Sequence, residues 1–291
     1  MVLNKNKILI LDFNLNLIYN FKVLFVKEIK LKVLIVGDIV GRPGLNKLKE
    51  ELPKLIENEN IDFCVVNGEN SANGKGIRVK EYNEILQCGA EVITMGNHMY
   101  YRKEMLNEYI KLPKLLIPAN ITNLDGNRNI VIQKNDIRYG VINLIGTAEM
   151  GKIFEENTTN PFLCANEQID ILNKQGVDYI FIDFHAEATA EKIAMGYHLS
   201  DKVNCVFGTH THVQTADEKI LDTGMAYITD VGMTGPKDSV IGLKKEIALK
   251  RFVEGSFAKY ECSNNDAIFN AIIVEFDNNS KKAIKITRIN N

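Results

Sequence analysis

From Leu31 onward, short apolar runs alternate with amphipathic stretches, and that alternation leaves few folds open to the chain. "KVLIVGD" is a β-branched run of buried-strand length. Pro43 follows where a first helical turn tolerates a missing N–H. "LNKLKEELPKLIENE" then carries apolar residues at helical spacing, with Pro53 expected to kink or split it. "DFCVVNGEN" predicts a second strand, "VKEYNEILQCG" a helix capped by a left-handed Gly89, and "EVITMGNH" a third strand. Across 121–146 the punctuation turns polar and predicts hairpins, with a turn in "LDGNRN". A helix-like stretch around 161–175 leads into the strand of "VDYIFIDFHAEAT", the helix "AEKIAMGYHL" and the strand of "NCVFGTHTH". "GMAYITDVG", "AIIVEFDN" and "KKAIKITRIN" return to strand patterns. Strands alternating with helices in this way predict an α/β protein. With no repeat, linker run or low-complexity block, 31–291 is expected to form one domain.

Residues 1–30 are of a different kind. Their apolar bursts are broken by Asp12, Asn14, Asn16, Asn20 and Lys22, and no stretch approaches the ~18 apolar residues of a membrane span or the pattern of a signal peptide. They are expected to be an extension outside the fold, dispensable for activity, with Leu31 as an alternative point of initiation.

Composition narrows the function. With 35 basic residues against 37 acidic ones there is no global electrostatic case for duplex nucleic acid or an acidic membrane, so a nucleotide would have to be held locally. The five cysteines are scattered and never in C-x-x-C, which argues against a disulfide framework or thiolate zinc site and fits a cytoplasmic location.

Polar residues at the ends of the apolar runs carry the chemistry. "KVLIVG" ends in Asp38, "DFCVVNG" in Glu69 and Asn70, "EVITMG" in Asn97 and His98, "DYIFIDF" in His185, and "NCVFGT" in His210 and His212. In open α/β sheets ligands bind at the carboxyl ends of strands. One Asp there is ordinarily a helix cap and one His a satisfied core residue, but turn chemistry does not account for all of these ends at once. In "HTH", taken as extended, alternate side chains share a face and both imidazoles point to one site. The donors exceed the needs of one catalytic zinc and suit two ions about 3.5–4 Å apart, bridged by a carboxylate.

The series D … GEN … GNH … H … GTHTH resembles the calcineurin-like metallophosphoesterase superfamily. "FHAEATAEKIAMGYHL", "GTHTHVQTADE" and "YITDVGMTGPKDSVIG" resemble its YmdB-type branch, the bacterial 2′,3′-cyclic-nucleotide 2′-phosphodiesterases, and the likeness runs across nearly all of 31–291. The resemblance implies a four-layer αββα sandwich of two mixed β-sheets flanked by helices. Val40 stands where the superfamily commonly has a histidine ligand, and "GEN" replaces its usual second motif. The narrower branch accounts for both departures. On its pattern one metal is held by Asp38, Glu69, Asn70 and His212, and the other by Glu69, Asn97, His185 and His210. Segment 147–160 departs most from the branch.

A hydroxide bridging the two cations is the expected nucleophile on phosphorus. His98, adjacent to the ligands but not one of them, is the expected general acid. The resemblance implies opening of a cyclic phosphate at its 2′ oxygen to leave a 3′-nucleotide. The sulfur-free donors favour iron, manganese or zinc, and the resemblance points to iron. The expected partner is a small cyclic nucleotide, with RNA ends a further candidate, in a homo-oligomer with no membrane association. A broader phosphatase, nucleotidase or nuclease shares the same metal core, and a non-enzymatic RNA-associated regulator is the alternative of another class. Thr234, in a turn expected at "GMTGP", is a candidate substrate contact, His198 is expected to be structural or exposed, and "KKEIALKR" is a solvated helix face with an RNA backbone as its other use.

Overall fold

The computed structural model describes residues 30–291. The expectation for the N-terminal extension therefore lies outside the described residues, except that Lys30 opens the first strand.

Three sheets form. The first has the order β15-β14-β1-β3-β4-β5, from β1 (Lys30–Val36), β3 (Phe63–Asn67), β4 (Val92–Thr94), β5 (Leu115–Leu116), β14 (Asn270–Asp277) and β15 (Ala283–Asn290). The second has the order β10-β11-β9-β8-β7-β6, from β6 (Asn129–Lys134), β7 (Ile137–Ile145), β8 (Tyr179–His185), β9 (Cys205–Thr209), β10 (Lys219–Ile220) and β11 (Ala226–Ile228). A small third sheet joins β2 (Asp38–Ile39), β12 (Met233–Pro236) and β13 (Ala267–Ile268). The helices are α1 (Gly41–Glu59), α2 (Val79–Gln87), α3 (Lys152–Asn157), α4 (Pro161–Lys174), α5 (Thr189–His198) and α6 (Lys245–Phe252). Strands β1, β3, β4 and β5 run parallel, as do β7, β8, β9 and β11, while β6, β10, β14 and β15 are antiparallel members.

The period of two along each strand builds the layers. In β1, Val33 and Ile35 face the second sheet while Leu34 and Val36 face the helices; in β3, Phe63 and Val65 take the inner face and Cys64 and Val66 the outer. The second sheet mirrors this, with Phe181 and Phe207 inward and Ile182 and Val206 toward α4 and α5. Phe63 stacks on Tyr139 across the gap, ring centroids 4.2 Å apart and planes within 3°. Strands apolar on both faces need cover on both sides, which is why two sheets face each other with helices outside. The αββα sandwich implied by the resemblance is the fold.

Local details differ from expectation in three places. Pro53 does not divide α1, which runs unbroken from Gly41 to Glu59. Pro53 is exposed, as is Lys49, whose carbonyl loses its helical partner to the proline. The hairpin turn of β6–β7 falls at Asn135–Asp136, with φ of 50° and 62°, and not in "LDGNRN", which is a loop before β6. Two left-handed residues in a two-residue loop suit the twist of the flanking strands, and Asn and Asp tolerate that conformation. "MTGP" is a strand, not a turn, because it pairs in parallel with Asp38–Ile39. Thr234 is thereby buried, its hydroxyl on the Asn270 carbonyl at 3.3 Å, and is not a substrate contact. No helix among the described residues is long and apolar enough to cross a membrane.

Candidate metal centre

The carboxyl ends of the parallel strands in both sheets meet at one edge, and hydrogen bonds tie them together beneath the surface. Asp183 of β8 accepts from the Asn67 amide of β3 at 3.0 Å, from Thr94 of β4 at 2.5 Å and from Thr209 of β9 at 2.7 Å. Above this buried node the sequence-predicted residues converge. Asp38, Glu69, Asn70 and His185 are fully buried.

Two donor groups form. Glu69, His185 and His210 present ligand atoms within 4.8 Å of one another, and so do Asp38, Glu69 and His212. Glu69 belongs to both. Asn97 completes the first: its Oδ1 lies 2.9 Å from His185 Nε2 and 3.1 Å from His210 Nδ1, and those two nitrogens are 3.0 Å apart. Ligands about 2.1 Å from one ion stand about 3.0 Å apart in cis-octahedral and about 3.4 Å in tetrahedral arrangement. The triangle has that size. On the other side it is the Asn70 amide nitrogen that donates to Glu69 Oε1 at 2.9 Å and lies 3.0 Å from His212 Nε2, so Asn70 joins this group as an oxygen ligand only with its amide turned over.

The chemistry of the cluster also fits cations. Asp38 Oδ1 is buried with no hydrogen-bond partner, which is costly for a carboxylate oxygen unless a positive charge meets it. A Cβ at Gly96 would collide with Glu69 Oε2 and His185 Nε2, so a glycine there keeps the space between the donors clear. Burial pushes the Asp38 carboxyl well above its ordinary range. Glu69 goes well below its range, because the His185 and His98 rings outweigh its burial. Against its own burial, His185 is pushed up to about 9 by Glu69, while burial and then the His185 charge push His210 down to about 2. A metal would reverse the Asp38 and His185 shifts, because it binds ionised carboxylate and neutral imidazole and displaces their protons.

Partners behind the donors fix each ring. His185 Nδ1 meets Thr209 Oγ1 at 2.9 Å, His210 Nε2 meets Glu187 at 2.9 Å, and His212 Nδ1 meets the Ile241 carbonyl at 2.9 Å. A ligating histidine held by its other nitrogen has a set tautomer and orientation. His98 is arranged differently. Its main-chain N–H donates to Glu69 Oε2 at 3.2 Å, its Nδ1 sits 2.6 Å from Asn70 Oδ1, and its side chain is 25% exposed. Val40 is buried against Gly235 and Gly242.

"HTH" does not work as an extended segment. Strand β9 ends at Thr209, and His210 and His212 have φ of 101° and 66°, so a left-handed loop, not a pleat, directs the rings. They serve different donor groups. Such backbone is strained for residues with a Cβ and persists only where the surroundings hold it. Asp38 Oδ2 accepts the His210 N–H and Asp230 Oδ2 the Thr211 N–H, both at 3.1 Å. Lys192 Nζ, on α5, donates to the Thr209 carbonyl at 2.7 Å and to Asp230 at 2.6 Å, with both side chains buried. Lys192→Met is expected to strip buried Asp230 of its counter-charge, leaving it only main-chain N–H partners, at a cost of about 3–5 kcal/mol. A denaturant midpoint that stays put in that variant would refute this role for the pair.

Sequence reasoning missed this supporting set. Asp183, Thr209, Glu187, Lys192 and Asp230 bring the donors to bear without being donors. The charged "ID" inside an otherwise apolar "YIFIDFH" was the one signal present. His198 is intermediate in exposure, its ring edge-on to Phe162 at 5.5 Å and away from the cluster.

The model of the family described as YmdB-like protein matches residues 34–289. The chain belongs to that family. A Bacillus subtilis relative named 2′,3′-cyclic-nucleotide 2′-phosphodiesterase is 42% identical over 260 residues, 89% of this chain and 96% of the relative. A crystal structure described as a novel phosphatase from Mycoplasma pneumoniae superposes with a TM-score of 0.84 at 38% identity, covering 91% of this chain and 94% of the other. The crystal structure of a hypothetical protein from Thermus thermophilus follows at TM-score 0.80 and 29% identity, covering 90% and 99%.

Proposed function

We propose that this chain hydrolyses 2′,3′-cyclic nucleotides to 3′-nucleotides with two transition-metal ions. The observation that carries the reading is Glu69 standing in two donor groups at once, as a carboxylate between two ions must. One ion would be held by Asp38, Glu69, Asn70 and His212, the other by Glu69, Asn97, His185 and His210. Three imidazoles with carboxylates and amides, and no thiolate among them, suit iron, manganese or zinc, and iron is the one proposed. The ions would supply charge neutralisation for phosphoryl oxygens and an activated water.

The chain's own residues do the rest. Glu69 and the rigid rings behind it keep the donors fixed, so little reorganisation accompanies the reaction. The amide nitrogen of Asn97, whose oxygen faces the His185 and His210 rings, is free to donate to a phosphoryl oxygen. As water oxygen bonds to phosphorus, the bond from phosphorus to the 2′ oxygen breaks, and that oxygen takes a proton from His98. With Nδ1 anchored on Asn70, the other ring nitrogen is the one placed to pass that proton.

Metal analysis of the purified chain, combined with turnover of 2′,3′-cyclic AMP, tests the reading. About two ions per chain and release of 3′-AMP are expected. Release of 2′-AMP, or turnover confined to phosphomonoesters, would reject it.

A further inference from the structure

Beside His98 the rim of the site gathers cations that have no acidic partner. The Tyr101 ring, 53% exposed, meets the His98 ring edge-on with centroids 6.4 Å apart. Lys75, on the loop that follows Asn70, holds its ammonium 5.3 Å from the Tyr101 ring centre and 5.0 Å from that of Tyr260. Those contacts keep the ammonium within about 12 Å of the His98 ring. Arg102 lies over the same Tyr101 ring at 5.4 Å, and spends its N–H groups on the carbonyls of Lys75 and Ala72 at 3.0 and 2.5 Å. Arg251, at the end of α6, donates only to the Ala258 carbonyl. Among the described residues none of the three forms an ion pair, whereas Lys47, Lys111, Lys244 and Lys245 all do. Burial, reinforced by the Arg251 charge, holds Lys75 below the ordinary lysine range, a cost that a bound anion would offset.

Charge counting then discriminates between substrates. A cyclic mononucleotide carries one negative charge, on the phosphate that the donor cluster takes. Three further cations have nothing to neutralise in it. Basic groups interleaved with exposed aromatic rings are the means by which proteins hold single-stranded nucleic acid, phosphates on the cations and bases on the rings. Only RNA can end in a 2′,3′-cyclic phosphate, because DNA has no 2′ oxygen. Resting on the phosphodiesterase reading, we propose that Lys75, Arg102, Arg251 and Tyr101 form a subsite for the nucleotides 5′ of the scissile phosphate, and that the preferred substrate is an RNA strand ending in a 2′,3′-cyclic phosphate. The basic run "KKEIALKR" ends in Arg251 and thus supplies one wall of the subsite.

The test compares 2′,3′-cyclic AMP with a short oligoribonucleotide ending in a 2′,3′-cyclic phosphate, using the metal-loaded full chain at rising salt. The oligonucleotide should have a kcat/KM higher by about tenfold or more at low salt, and should lose it more steeply, by about 0.7 in log–log slope per neutralised phosphate. Lys75→Met and Arg251→Met should each shrink the oligonucleotide-to-mononucleotide ratio several-fold, through KM more than kcat. Lys75→Arg should restore it, which a merely structural lysine would not require. A ratio unchanged in both Met variants, or an oligonucleotide no better than cyclic AMP in the parent, overturns the subsite. If the parent turns over neither substrate, the phosphodiesterase reading falls and the subsite with it.

Discussion

Asp38→Ala and His212→Ala are each expected to lose bound metal and turnover together, with activity down to background. Asp38 Oδ1 is a buried oxygen without a hydrogen bond, and His212 Nε2 lies 3.8 Å from it. Asp38 also holds the loop of the two histidines through Oδ2, so His212→Ala is the cleaner of the two variants. The His212 ring is fixed from behind by the Ile241 carbonyl, and Asp38 Oδ2 is occupied by the His210 N–H. Removing a donor from one group also strips Glu69 of half its purpose, so the second ion should weaken as well. The measurement is metal per chain by elemental analysis beside turnover of 2′,3′-cyclic AMP. Folding is checked separately, since the αββα core lies below the donors and should survive. Full metal occupancy in both variants would remove these residues from the ligand set.

How much of this could be seen in the residues differs by layer. An α/β fold was legible because strands apolar on both faces, such as "KVLIV" and "YIFI", need cover on both sides, whereas the pairing of two sheets into a sandwich came from the family resemblance alone. The donors were legible because each follows an apolar run directly, and parallel strands bring their carboxyl ends to one edge. What lay beyond reach was set by tertiary contact. "MTGP" has the composition of a turn and becomes a strand because Asp38–Ile39 offers it an edge. The loop carrying His210 and His212 looks extended on paper, and its positive φ values become tolerable only with Asp38, Asp230 and Lys192 arriving from distant parts of the chain. Lys75 and Arg102 are distant in sequence, and nothing in their local composition says that one tyrosine ring brings them together with the Arg251 charge nearby.

His98→Ala should leave both ions in place and still cut turnover of cyclic nucleotides by about 10²–10⁴-fold, the range of a positioned general acid. The geometry separates the two functions. The contact that His98 makes with the shared carboxylate through its main chain, N–H to Glu69 Oε2 at 3.2 Å, survives in alanine. Its ring adds contacts of Nδ1 to Asn70 Oδ1 at 2.6 Å and to Glu69 Oε1 at 3.3 Å, while Nε2 has no partner among the described residues, so the ring is anchored at one nitrogen and open at the other. An imidazole so placed can deliver a proton to an oxygen leaving phosphorus, and has no lone pair committed to the donor groups. The decisive comparison varies the leaving group. A ribose oxygen departs badly without a proton, whereas nitrophenolate departs unaided. His98→Ala should therefore slow cyclic nucleotide hydrolysis far more than hydrolysis of a nitrophenyl phosphodiester. Equal losses on both substrates at unchanged metal content would make His98 a positioning residue for Asn70 and Glu69, and the proton would have to come from elsewhere.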